Sequence, residues 1–156
     1  MSYSIYIGEA ELGEYEGMIS VTVNEIRNTS CSIWDKYDPV RLAHPPEFEG
    51  DEMTGRTNGR HPGYSQWGDF CKTVGLTNLF YQEEKGLMSQ HPGTVLLTDS
   101  HHKKIKHALT KWRKSNPDTN PGWGKGQDQM LARLIWLEWW VKWALDNCKM
   151  PAMYNH

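Results

Sequence analysis

Trp136, Trp139, Trp140 and Trp143 stand at i, i+3, i+4 and i+7, so on a helix turning about 100° per residue the four indoles share one arc about 100° wide. Met130, Leu134, Leu137, Val141 and Leu145 occupy a neighbouring arc and leave Glu138, Lys142 and Asp146 as a narrow ridge for water. A helix apolar over most of its circumference has to be surrounded by other chain, so it is expected at the centre of the fold. At 156 residues the chain suits one domain, 1–156, able to bury roughly two thirds of its unfolded surface without disulfides or structural metal. Only 38% of residues are hydrophobic, but eight Trp and seven Tyr supply enough area each to build a core. The apolar stretch 130–145 is broken by Arg133, Glu138 and Lys142 and is shorter than the ~18 residues that suggest a membrane span, so no membrane partner is expected.

Charge divides unevenly. Residues 1–52 carry 11 acids against 3 bases and residues 53–156 carry 14 bases against 8 acids, a split of −8 and +6. Such a split joins complementary surfaces of one fold or makes the surface bipolar toward partners. Cys31, Cys71 and Cys148 allow at most one disulfide and form no CxxC pair, the usage of a reduced, intracellular protein. The start, MSYSIYIGEAEL, lacks the basic opening and apolar run of a secretion signal, so a cytoplasmic location is expected.

Tyr3, Ile5 and Ile7, and then Ile19, Val21 and Val23, alternate with small or polar residues in the period of half-buried strands. They predict a hairpin whose connection, GEAELGEYEG, is a mobile acidic loop rather than a tight two-residue turn. From Asn24 to Gly63 proline and glycine break every periodicity, and so long a loop is expected to be partly ordered against the core or a ligand. Ser65 is the expected cap of a helix over Gln66–Val74, with Gly75 and Leu76 as its left-handed stop. Leu79, Phe80, Leu87 and Met88 mark a further short buried piece, and Thr94–Leu97 is either a third strand or the extended entry to the next helix. Residues 99–114 predict a basic amphipathic helix ended by Asn116-Pro117, and Asp128 is the expected cap of the tryptophan helix, which should stop near Cys148. The fold class is therefore α+β and mainly helical: an N-terminal β-hairpin (acidic, residues 1–52) packed on a bundle of three to four helices (residues 64–150) around the tryptophan-rich C-terminal helix.

No arrangement in the chain states a reaction. His91, His101, His102 and His107 lack metal spacing; His107 should face solvent and His101 should pack in the core. Cys71 falls in mid-helix, away from the dipole that activates a thiol, and is expected to be buried and structural. No cofactor and no metal are expected. The better signal is for binding. Residues 53–67 gather Arg56, Asn58, Arg60, His61, Tyr64 and Trp67 in a loop leading to a helix start. Arginine offers a bidentate fork to phosphate, a helix N-terminus offers free N–H groups, and an indole or phenol offers a face to a base. His91 and Trp123 are candidate walls, the latter because no periodicity in NPGWGKG demands its burial. The basic helix lacks exposed aromatic or amide side chains for base readout, so it is read as a solvated face and nucleic acid is not the expected partner.

Taken together, YSIYIGEAEL, HPGYSQWGDFCKTVGLTNLF, HPGTVLLT and DQMLARLIWLEWWVKWALDNCKMPAMYNH resemble a family of small proteins encoded by tailed bacteriophages and prophages. The resemblance is one of general pattern and transfers no catalytic residue. It implies the cytoplasm of an infected bacterium and a role as an inhibitor or ligand sequesterer directed at host systems. The leading expectation is a non-enzymatic accessory protein that binds and withholds a small, phosphate-bearing, nucleotide-derived ligand from a host defence. Two alternatives stand beside it: an inhibitor that engages a host enzyme through the acids of residues 9–16 and 47–52, and a small hydrolase using His91 or His101 with a nearby carboxylate. Aromatic surface left uncovered would favour a homodimer.

Overall fold

The computed structural model describes residues 4–23, 58–60, 62–80 and 93–155. Ile5 and Ile7 point to one side of strand β1 (Ile5–Tyr15), fully buried, while Gly8 and Ala10 are buried on the other. The strand does not stop at Ile7. It continues through the segment expected to be a loop and turns back at Glu16-Gly17 into β2 (Met18–Val23), with Tyr15 opposite Met18. Both turn residues have positive φ, 49° and 78°, the requirement of the two-residue turn whose twist matches that of the flanking strands. The connection is thus the tight turn that the glutamates and glycines argued against.

The hairpin is one side of a larger antiparallel sheet in the order β2-β1-β5-β4. Here β4 is Gly93–Leu96 and β5 is Pro151–Asn155. The ambiguity over residues 94–97 resolves as a strand, and the tail after Cys148 supplies the strand that joins β4 to β1. A two-residue strand, β3 (Gly59–Arg60), pairs with the start of β1 along the edge that β2 leaves open. On the side of the sheet carrying Ile5, Ile7 and Met153 lies the main core. On the other, Ala10 and Ala152 are buried beside Tyr6, Met150 and Tyr154, and the paired Tyr6 and Tyr154 rings stack at 6.4 Å.

Helix α1 (Tyr64–Thr73) begins one residue before the expected cap Ser65: Gly63 is the cap, and its N–H donates to the Gln66 side chain at 3.3 Å. Its end is as the sequence predicts. Leu76 N–H reaches the Cys71 carbonyl at 2.8 Å and Gly75 N–H reaches Lys72 at 3.4 Å, with Gly75 at φ +79°. That paired pattern satisfies the last carbonyls through a left-handed residue. Leu76 is buried and leads into the short α2 (Thr77–Phe80).

Helix α3 (Asp99–Ser115) buries Ile105, Ala108 and Leu109 and leaves its lysines exposed. His101 is not a core residue: its Nδ1 accepts from Thr98 N–H at 3.0 Å and helps to cap the helix. Burial, and after it the charge of Lys104, lowers the His101 pKa, which suits an imidazole that accepts. Helix α4 (Gln129–Asn147) is the centre of the fold, with Trp136, Trp140 and Trp143 buried, Trp139 half-buried, and the indoles of 139, 140 and 143 meeting edge to face. Of the expected solvent ridge, Lys142 and Asp146 form an i,i+4 ion pair, whereas Glu138 turns to His102 at 2.7 Å and links α4 to α3.

Candidate functional site

Four parts of the chain bring one cluster together: β3, α1, the connection before α4, and α4. β3 is held to β1 by its ladder and by Asn58, whose Nδ2 donates to the Ile7 carbonyl at 2.6 Å while Ile7 N–H donates to the Asn58 carbonyl at 3.1 Å. Asn58 is completely buried and clasps β3 to β1. The next-but-one residue, Arg60, is 8% exposed and lays its guanidinium over the Trp136 ring at 4.7 Å, donating as well to the Gly59 carbonyl at 2.9 Å. Stacking over an indole face is worth up to about 2 kcal/mol for a desolvated cation.

From α1, Trp67 packs against Phe70 at 5.1 Å and edge-on to Phe80 at 5.4 Å. From α4, Arg133 stands one turn before Trp136 and lays its guanidinium over the Trp123 ring at 4.9 Å. Trp123 itself hangs from the connection between α3 and α4, which closes on itself through the Pro121–Asp128 bridge and the Gly122 N–H to Asp128 carbonyl bond. Inside that connection the Gln127 amide accepts from Gly124 N–H at 2.8 Å. A Cβ at Gly122 would collide with the same amide, so glycine there lets the backbone wrap the side chain.

Arg60, Trp67, Trp123, Arg133 and Trp136, with Pro62 and Ala132, line a pocket of about 20 Å³. A single water needs at least ~10–15 Å³ by the same kind of measure, so the space admits one oxygen-sized group. Its chemistry is one-sided. Guanidinium and indole donate hydrogen bonds and accept none, and among the described residues no lining side chain is an acceptor, a nucleophile or a base. The indole N–H groups of Trp67 and Trp123 are buried and have no hydrogen-bond partner among the described residues.

Of the sequence candidates, Arg60, Trp67 and Trp123 meet here. Asn58 belongs to the strand clasp, and Tyr64 is half-buried against the core outside the pocket. Arg56, His61 and His91 lie outside the described residues. Sequence reasoning missed Arg133 and Trp136 as site residues. The signal was present for Arg133: on the helical wheel it falls about 20° from Trp140, so the arc of indoles already contained a cation.

The remaining candidates are accounted for elsewhere in the fold. Cys71 is fully buried, and its thiol is pushed far above the ordinary range by burial. Glu9 accepts from the N–H groups of Lys149 and Met150, while Glu11, Glu14 and Glu16 are exposed; residues 47–52 lie outside the described residues. Among the described residues no three His, Cys, Asp or Glu side chains are placed to hold a metal, and no helix is long and apolar enough to cross a membrane. Comparison of the chain with protein-family models, with curated proteins and with solved structures gave no match.

Proposed function

We propose that this chain is a non-enzymatic binding protein that takes the terminal phosphate of a small, nucleotide-derived ligand into the pocket between Arg60 and Arg133. One observation carries the reading: among the described residues the only polar side-chain groups in an otherwise apolar lining are donors and cations, and the buried indole N–H groups of Trp67 and Trp123 lack a hydrogen-bond partner. Each such donor costs ~1–3 kcal/mol until an acceptor arrives, and charge-assisted bonds from guanidinium to phosphate are about twice as strong as neutral ones. A cavity this small takes one phosphate oxygen and leaves the rest of the ligand over the mouth. With no nucleophile or base in the described lining, holding the ligand is what the pocket can do. Resemblance to small phage proteins gives this a setting, the withholding of a nucleotide signal from a host defence.

Thermal-shift and calorimetric titration with inorganic phosphate and with cyclic and linear nucleotides test it. A phosphate-bearing compound should stabilise the wild type, Arg133→Ala should lose about tenfold or more in affinity, and Arg133→Lys should recover only some of it because it restores charge without the planar fork. No stabilisation by any of these compounds, or unchanged binding by a folded Arg133→Ala protein, would overturn the assignment.

A further inference from the structure

A second concavity lies on another face. The corner between α1 and α2 and the facing side of α3 border a half-open groove of about 610 Å³, a volume within the ~300–1,000 Å³ of sites for small molecules. Its floor is aliphatic: Val74, Leu76 and Leu79, each under a tenth exposed. Lys103, Lys104 and Lys111 line its α3 side, together with the exposed His107. Among the described residues no acid lines the groove, and none of the three lysines takes part in an ion pair. Lys103, His107 and Lys111 follow at i, i+4 and i+8, steps of about 6 Å along the helix, so two lysines about 12 Å apart, with Lys104 near the first, border one side of the hollow, and among the described residues no acid lies opposite them. That length suits a chain of phosphates better than a single one.

We infer that this groove is a separate binding site for a nucleoside di- or triphosphate, its phosphates ranged along Lys103, Lys104 and Lys111 and its base and sugar resting on Val74, Leu76 and Leu79. Asn78, exposed at the rim, supplies a donor and an acceptor for a base edge. A nucleic-acid strand fits less well, because among the described residues no aromatic side chain lines the groove to stack successive bases. The site is independent of the arginine–tryptophan pocket and stands whether or not that pocket binds phosphate.

Calorimetry with AMP, ADP, ATP, inorganic triphosphate and a single-stranded dodecanucleotide decides the matter. Affinity should rise from AMP to ATP, fall with added salt, and be greater for ATP than for inorganic triphosphate. The Lys104→Ala/Lys111→Ala variant, with both changes on exposed helical positions that alanine tolerates, should lose about tenfold or more for ATP. Repeating the ATP titration in the Arg133→Ala background, which removes the other proposed site, isolates the groove: the loss caused by the double-lysine change should persist there, so failure of this site is read separately from failure of the other. The inference is overturned by no saturable ATP binding below about 1 mM, by an unchanged double-lysine variant, by triphosphate binding as tightly as ATP, or by the dodecanucleotide binding while ATP fails to compete.

Discussion

Removal of the half-buried Asp128 carboxylate should destabilise the fold measurably, and its cost can be built from its bonds. Oδ1 accepts from Leu131 N–H at 2.9 Å and so caps α4, while Oδ2 accepts from Trp112 Nε1 and from Thr119 Oγ1, both at 2.8 Å. Loss of an N-cap costs ~1 kcal/mol. A half-buried indole N–H left without its charged acceptor adds ~1–3 kcal/mol, and Thr119, exposed, returns to water at little cost. Asp128→Ala should therefore lower stability by about 2–4 kcal/mol, or roughly 5–15 °C in Tm for a chain of this size. Asp128→Asn keeps the cap but turns an amide donor toward two donors, so it should fall between alanine and wild type.

The same carboxylate carries a pH signature. Burial raises its pKa, but hydrogen bonds from Leu131, Trp112, Thr119 and Met130 together outweigh this, and the folded value lies below the ordinary 3.8. Its contribution is then complete above that ordinary value and is lost as pH falls through the folded one. The gap between wild type and Asp128→Asn should narrow in acid. Urea titration followed by tryptophan fluorescence and far-UV circular dichroism measures both effects. A loss below about 0.5 kcal/mol for Asp128→Ala, the range of ordinary surface changes, would refute this account of the connection.

Further outcomes follow from the same geometry. Asn58→Ala should cost about 1–3 kcal/mol in urea titration, since it removes the donor to the buried Ile7 carbonyl, and it should weaken ligand binding at Arg60 by loosening β3. Trp140→Ala empties the centre of the core and should cost about 3–5 kcal/mol, enough to populate unfolded chain at moderate temperature. Burial first, then the charge of Glu9, pushes the Cys148 thiol up to about 12. At pH 8, peptide mass spectrometry should therefore show Cys71 and Cys148 alkylated far more slowly in the folded protein than in urea; equal rates would contradict the burial of these thiols.

Much of the helical half is legible locally because each feature rests on neighbours in sequence. The indole arc of α4, the stop at Gly75 and the cap at Asp128 all need only a few adjacent residues to form. The sheet is different. GEAELGEYEG reads as a loop because glycine and glutamate disfavour strands, yet Ala10 and Leu12 already alternate with Glu9 and Glu11, and pairing with β2 and β5 decides the outcome. PAMYN is too short to announce itself as a strand; its pairing with both β1 and β4 settles it. The same division holds at the pocket. Arg60, Trp67 and Trp123 are visible as residues with binding chemistry, but Arg133 and Trp136 join them only when α4 comes against β3, a contact no local pattern encodes.

The central place of β5 also governs how this protein can be made. A ribosome releasing the chain from its N-terminal side presents β1 and β2 long before Pro151–Asn155 emerges, on the order of ten seconds at ~5–20 residues per second. Throughout that interval the β1 backbone that will meet β5 offers unsatisfied N–H and C=O groups to any passing strand. Nascent copies are most vulnerable to pairing with one another then, and a chaperone that shields the early hairpin should raise the yield of native protein more than one acting on the finished helices.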